Sequence, residues 1–247
     1  APSAGVEKVM RGLGVATPIA VVPNGVRLQP FLHPDSIPTR AQLGLPETGL
    51  LLIYTGRLAP EKNLAFLLHA FAGALAALPD MTLLLVGDGP ALDGLQRQAS
   101  VDGMADKVHF LGMTPYDEMP GLLAMADLYV TASVSEVHPL SVIEAMAAGL
   151  PALGILSPGV GDIIEDRHNG LLSPDNLPAF TARLVQLALD GDLRRTLAAN
   201  AREFSRQFSH DLTARMLLQH YERLHEQAVP RRVGWAALRD RVRSRLA

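Results

Sequence analysis

The stretch Leu50-Leu51-Leu52-Ile53-Tyr54-Thr55-Gly56-Arg57-Leu58-Ala59-Pro60-Glu61-Lys62-Asn63 opens on apolar, aromatic and β-branched residues, breaks at a glycine, and ends with two cations and an asparagine. A run apolar at every position, rather than at alternate ones, reads as a strand buried on both faces of a parallel sheet. Leu64 to about Ala77 then reads as a helix, with Asn63 as its N-cap and Pro79-Asp80 as its stop. The pattern recurs. Met81–Val86 is followed by Gly87 and a helix over Pro90–Val101, and Val108–Leu111 by Gly112 and a helix over Tyr116–Ala126. Leu128–Thr131 and Pro151–Ile155 continue the series, with Gly170–Leu172 as a short closing strand and Ile19–Val22 as a lead-in strand. Strands alternating with helices predict an α/β fold, a Rossmann-like doubly wound parallel sheet of about six strands.

Outward from that core, Pro139–Ala148 reads as a helix with proline in its first turn and Gly149 beyond its end. After residue 175 only helices remain, Leu177–Leu189, Leu193–Phe208 and Asp211–Glu226, which form a helical C-terminal extension. Pro23–Gly49, rich in Pro and Gly, reads as a linker with a loosely structured lead-in, and Val6–Leu13 as a short helix. The expected organisation is therefore residues 1–22 as the remnant of a preceding domain and linker, 23–208 as the Rossmann-like domain, and 209–247 as C-terminal helices with a basic amphipathic tail.

Composition narrows the possibilities. The 247 residues include no Cys, 48% are hydrophobic and 19% charged, which excludes a disulfide scaffold and a disordered chain. No apolar run approaches the ~20 residues of a membrane span. Ala1–Gly14 carries acid, base and glycines where a signal peptide has an apolar core, so a cytoplasmic location is expected. The net charge of −3 conceals a division: the last 18 residues hold six Arg against one Asp, and the other 229 hold 16 bases against 24 acids. A body with a charge of −8 is a poor partner for nucleic acid, and none is expected.

Ligands of open parallel sheets sit at the carboxyl ends of the strands. Four loops lie there. In the first, Gly56, Arg57 and Lys62 bring a glycine and two cations to a helix start, a set suited to a diphosphate; the alternative is that Arg57 and Lys62 pair with Glu61 and other acids. The second, Gly87-Asp88-Gly89-Pro90, lacks the third glycine of a dinucleotide fingerprint and reads as a tight turn. In the third, Glu136 and Glu144 stand eight residues apart across a helix start. Both are expected to face one crevice into which Leu140, Ser141 and Val142 direct free N–H groups. Paired carboxylates there suit the vicinal hydroxyls of a sugar or ribose. His138 is either a sugar-hydroxyl ligand or a loop residue. The fourth, Ser157-Pro158-Gly159-Val160-Gly161-Asp162, either approaches a ligand closely or is an ordinary turn. Asp190-Gly191-Asp192 is turn chemistry between helices, and no zinc spacing or nucleophile elbow occurs, so no metal site is expected.

Gly56-Arg57-Leu58 with Glu61-Lys62-Asn63, then Val86–Pro90, then Val108–Gly112, then Glu136 through Glu144 with Ala145-Met146-Ala147 and Gly149, in that order, resembles the family-4 retaining glycosyltransferases of GT-B fold. The resemblance runs from about Val22 to Tyr221. It implies a chain that supplies the C-terminal, donor-binding half of the enzyme, with a nucleotide-diphosphate sugar as donor and no cofactor. The N-terminal, acceptor-binding half is then the partner absent from this chain. It further implies that Arg57 and Lys62 hold the diphosphate beside Gly56, that Phe110, Leu111 and Met113 line the base, and that Glu144 takes the ribose hydroxyls. Glu136 would be the catalytic carboxylate on the transferred sugar, with the backbone after it. Two loops depart from the family: Val137-His138-Pro139 replaces a common Gly-Phe-Gly, and Pro158–Asp162 replaces Gly-Gly-x-Pro-Glu, so the resemblance does not name the sugar. Other readings are a nucleotide-sugar epimerase, a phosphorylase-like GT-B enzyme, and a non-catalytic nucleotide-sugar-binding module.

In the tail, Trp235, Leu238, Val242 and Leu246 fall on one stripe of a helix, flanked by arginines. The thin stripe and the acidic body favour packing on the absent half; the alternatives are an anionic membrane surface on the cytoplasmic face, reached through residues 230–247, and a disordered tail.

Overall fold

The computed structural model describes residues 1–228. Six parallel strands form one sheet: β1 (Leu50–Thr55), β2 (Met81–Val86), β3 (Val108–Gly112), β4 (Leu128–Thr131), β5 (Ala152–Ile155) and β6 (Gly170–Ser173). Their order is β3-β2-β1-β4-β5-β6, so the chain winds outward from β1 in one direction and then returns to wind in the other. The reversal lies between β1 and β4, where a Rossmann-like sheet opens its crevice.

Ten helices accompany the strands among the described residues: α1 (Ala4–Gly12), α2 (Gln29–Leu32), α3 (Leu64–Leu75), α4 (Leu92–Val101), α5 (Met119–Met125), α6 (Leu140–Ala147), α7 (Val160–Ile163), α8 (Leu177–Leu189), α9 (Gly191–Ser205) and α10 (His210–Ala228). Successive strand residues point to opposite faces, and both faces are covered. Leu52, Tyr54, Leu83, Leu85, Leu128 and Val130 pack with Leu67 and Phe71 of α3, Leu95 of α4 and Phe180 and Leu184 of α8. Leu51, Ile53, Leu84, Val86 and Tyr129 pack with Phe31 of α2, Leu123 of α5 and Val142, Ile143 and Met146 of α6. Each such side chain, fully buried, contributes roughly 1.5–3 kcal/mol, which explains the unbroken apolar runs.

The register sets Leu50 against Met81 and Thr55 against Val86, so β1 and β2 end level. Their loops then run in backbone contact. Gly56 N–H donates to Val86 O at 2.9 Å, Leu58 N–H to Asp88 O at 2.8 Å and Ala91 N–H to Leu58 O at 2.9 Å. A Cβ on Gly87 (φ +134°) would run into the Gly56 carbonyl, and one on Gly89 into that of Leu58. The Gly-x-Gly of the second loop is thus the space through which two loops touch. Gly94 is the opposite case, an ordinary helical glycine in α4 with nothing within 4 Å of a Cβ. Gly94→Ala is expected to stabilise the fold by about 0.5–1 kcal/mol, the propensity difference between the two residues, as read by urea unfolding.

Several expectations are corrected. Ile19–Val22 forms no strand and pairs with none of the six; Val22 N–H instead bonds Ala1 O at 2.8 Å. Asn63 is the N-cap residue of α3, as expected, but its side chain makes no capping bond: it also closes the 3-10 turn Pro60–Lys62 at φ 54°, a left-handed position that asparagine tolerates. Pro139 is the N-cap of α6 rather than a first-turn residue. Pro23–Gly49 is not a loose linker, since Val26, Leu28, Phe31, Leu32 and Leu45 are all buried in the core. There the chain is clasped to the far end of the domain: Val26 N–H donates to Phe208 O at 2.8 Å and His210 N–H to Val26 O at 3.0 Å. Thr213 Oγ1 adds a bond to Pro23 O at 3.0 Å. Asp190 caps α9 by accepting from Leu193 N–H, as its turn chemistry implied. The stripe Trp235, Leu238, Val242 and Leu246 lies outside the described residues. No helix among the described residues is long and apolar enough to cross a membrane.

Candidate functional site

At the β1/β4 reversal a cavity of about 340 Å³ is lined by Gly56, Arg57, Glu61 and Lys62 from the loop after β1 and by Glu136, His138, Leu140 and Ser141 from the loop after β4. The sequence separation of the two loops is closed by the sheet. Lys62 Nζ lies 2.5 Å from Glu136 Oε1, with both side chains about one-fifth exposed. Arg57, largely exposed, pairs with Glu61, which a backbone hydrogen bond and then that guanidinium hold below the usual carboxylate range. Both cations therefore have acidic partners, as the alternative reading of this loop held, yet both remain at the rim of the cavity.

Behind these side chains is a brace that the sequence did not disclose. Tyr129, fully buried on β4, directs its hydroxyl to Ser141 Oγ at 3.0 Å and Thr55 O at 3.3 Å, tying the ends of β1 and β4 to the start of α6. Burial pushes its phenol up to about 12, so it stays a donor. Ser133 Oγ reaches Glu61 O at 3.4 Å, and Ser157 Oγ reaches Ser133 O at 3.0 Å. Gly159 (φ +79°) packs so closely on the Glu136 carbonyl that a Cβ has no room. The fourth loop thus supports Glu136 from behind. Tyr54 donates to Arg57 O at 3.1 Å and fixes the first loop in the same way.

At the start of α6 helical geometry leaves Leu140 and Ser141 N–H without intrahelical partners. Val142 does not join them, because its N–H donates to Pro139 O at 3.1 Å. His138 is buried, its ring edge-on to Phe208 with centroids 5.5 Å apart and its Nδ1 without a partner. Burial lowers its pKa, so at neutral pH it presents one donor and one acceptor.

Glu144 does not line this cavity. It is buried within α6, where its Oε1 accepts a 2.7 Å hydrogen bond from Tyr116. Burial raises its pKa, and the Tyr116 bond pulls it back. Leu111 and Met113 line a second, larger cavity of about 740 Å³ between β3, α5 and residues 30–43. Phe110, one strand position earlier, turns to the opposite face and packs with the α3 side of the core. The anticipated set is therefore divided: Gly56, Arg57, Lys62, Glu136, His138, Leu140 and Ser141 stand together, while Glu144, Leu111 and Met113 flank that group and Phe110 faces away from them. Chemically, the central group offers two releasable cations, two free N–H groups, a carboxylate and a neutral imidazole around one polar space.

Comparison with known proteins follows the same line. The family described as "Glycosyl transferases group 1" matches residues 35–204. The D-inositol 3-phosphate glycosyltransferase of Salinispora arenicola is 34% identical over 221 residues, covering 83% of this chain and 49% of that protein. The alpha-monoglucosyldiacylglycerol synthase of Streptococcus pneumoniae is 31% identical over 176 residues, 69% of this chain and 40% of that protein. The chain spans about half the length of the curated relatives it matches. Among solved structures, Anabaena HepE in complex with UDP and glucose superposes with a TM-score of 0.75 at 25% identity over 92% of this chain and 62% of that one. Sucrose-phosphate synthase from Thermosynechococcus elongatus superposes at 0.78 with 26% identity, over 92% of this chain and 58% of that one.

Proposed function

The chain belongs to the group 1 glycosyltransferases, and from that premise we propose that it is the C-terminal, donor-binding half of a family-4, retaining enzyme of GT-B architecture. One observation carries the reading: at the sheet reversal Lys62 and Glu136 hold each other at 2.5 Å across the mouth of α6. A nucleotide diphosphate entering this space takes Glu136's place as the partner of Lys62, as it takes Glu61's place on Arg57. The same event that neutralises the diphosphate frees the Glu136 carboxylate for the hydroxyls of the attached sugar. Glu136 is the catalytic residue in this scheme, and His138 with the Leu140 and Ser141 N–H groups completes the sugar and phosphate contacts.

When the bond between the anomeric carbon and the phosphate oxygen breaks, its electron pair passes to the diphosphate. That charge grows where Arg57, Lys62 and the helix N–H groups already point, the preorganised stabilisation that lowers such barriers. These groups suffice without a metal ion or cofactor. The acceptor hydroxyl supplies the new C–O bond on the same face of the sugar, and its proton leaves with the nucleotide. UDP is the nominated nucleotide because HepE was solved with UDP and with UDP-glucose. Glu144 takes the ribose diol, and Leu111 and Met113 border the base. The acceptor is bound by an N-terminal half of the kind that the relatives' greater length accommodates.

Calorimetric titration tests this. The chain is expected to bind UDP and to transfer no sugar from UDP-glucose to an added acceptor by itself, since catalysis requires both substrates in one geometry. Glu144→Ala is expected to weaken UDP binding roughly tenfold, the worth of about one hydrogen bond to a charged group, with inorganic diphosphate binding unchanged. Unaltered UDP affinity in that variant would remove Glu144 from the site. Efficient transfer by the isolated chain would end the half-enzyme reading.

A further inference from the structure

Tyr116 belongs to no motif, yet it is the residue that holds Glu144. Its hydroxyl donates to Glu144 Oε1 at 2.7 Å across 28 residues of sequence. Its ring stands edge-on to Phe31 with centroids 6.0 Å apart, and Phe31 is fixed in the core. The donor sits in the turn between β3 and α5 and is held there through its ring contact with the buried Phe31. Glu144 is the one acidic residue buried inside α6, between Ile143 and Ala145, both fully buried. A carboxylate there, joined to the helix by rotatable bonds, is both costly to bury and free to swing unless something fixes it. Among the described residues Oε2 accepts no hydrogen bond, and it is not sealed away from solvent.

We propose that Tyr116 is the positioning residue of the nucleotide subsite: by occupying Oε1 it orients Glu144 so that the remaining acceptor positions meet the ligand's vicinal diol. This rests on the reading of Glu144 as the ribose residue. Competition between tyrosine and ligand is not required, because an ionised carboxylate has about four lone-pair positions. Tyr116 fills one and the diol needs two. The half-exposed ring also stands three residues beyond Met113, so the base side and the ribose side of the ligand are joined through one short loop.

The test titrates wild-type, Tyr116→Phe and Tyr116→Leu chains with UDP and with 2′,3′-dideoxy-UDP. Wild type is expected to prefer UDP. Tyr116→Phe, which keeps the ring and its packing, is expected to lose UDP affinity roughly tenfold, the equivalent of one charge-assisted hydrogen bond. Its affinity for the dideoxy compound should stay the same, so the preference collapses. A merely structural role would lower both affinities together. Tyr116→Leu separates ring from hydroxyl: the same collapse is expected whatever its melting temperature. If Tyr116→Phe retains the preference, or binds UDP more tightly, the assignment of Tyr116 is overturned. If wild type itself shows no preference for UDP, the ribose reading of Glu144 fails and this proposal fails with it.

Discussion

Lys62→Ala is expected to weaken UDP binding by about 1.5–3 kcal/mol, the range for hydrogen bonds to charged groups, or roughly ten- to 150-fold in affinity. The variant also removes the partner of Glu136, whose side chain is only 17% exposed. A half-buried carboxylate left without its cation costs stability too, about 1–3 kcal/mol by the same reasoning. The two effects can be separated. Adding Glu136→Gln to Lys62→Ala removes the stranded charge, so the double variant is expected to recover the stability measured by urea unfolding while UDP binding stays lost. Arg57→Ala supplies the contrast: this side chain is 65% exposed and its pairing with Glu61 is a surface contact. Such pairs contribute little to the fold, so binding should fall with almost no change in stability. Wild-type UDP affinity in both single variants would show that the diphosphate binds elsewhere.

Gly87→Ala is expected to be among the most damaging single methyl groups in the domain. The new Cβ would meet the carbonyl of Gly56, a backbone atom that cannot rotate aside, and the φ of +134° is closed to side chains. Strained backbone of this kind costs of order 1–3 kcal/mol, and the steric overlap adds to it, so a total of about 3–5 kcal/mol is expected, in the range reserved for core-scale disruption. Relief requires the loop after β1 to move, and that loop carries Arg57 and Lys62. UDP binding in the fraction that still folds should therefore fall as well. Urea unfolding of Gly87→Ala beside Gly94→Ala reads the difference, since the two substitutions add the same atoms with opposite expected signs. Equal midpoints for the two would mean that the loops are not in contact.

The strands were legible because a parallel sheet covered on both faces leaves few polar positions, and Leu50–Thr55 and Met81–Val86 match their predicted limits. Leu177–Leu189 matches because its cap and its length are local properties. Ile19–Val22 misled because β-branched residues permit a strand, but a strand also needs a partner to pair with, and this segment pairs with none of the six. Asn63 marks the start of α3 as read, but the preceding 3-10 turn puts it in a left-handed conformation from which its side chain makes no capping bond. The loop cluster around Arg57, Lys62 and Glu136 followed from topology, since loops after neighbouring strands must meet. The contacts that brace it did not follow. Tyr129 on Ser141 and Thr55, Gly159 on the Glu136 carbonyl and Tyr116 on Glu144 are pairings between elements, and no spacing along one element encodes them.

The clasp between Val26 and Phe208–His210, with Thr213 on Pro23, fastens the start of the segment that carries the sheet beside its end, while Ser3 from the segment before it reaches Asp162 Oδ2 at 2.6 Å. A unit whose two ends are fastened side by side is topologically close to a ring. It can be spliced into a surface turn of an unrelated host, or cut open at an exposed turn such as Asp102-Gly103 once Pro23 and Thr213 are bridged, without stretching the core. The sheet with its loop cluster is thereby portable, a cartridge that a larger protein can carry at one attachment point.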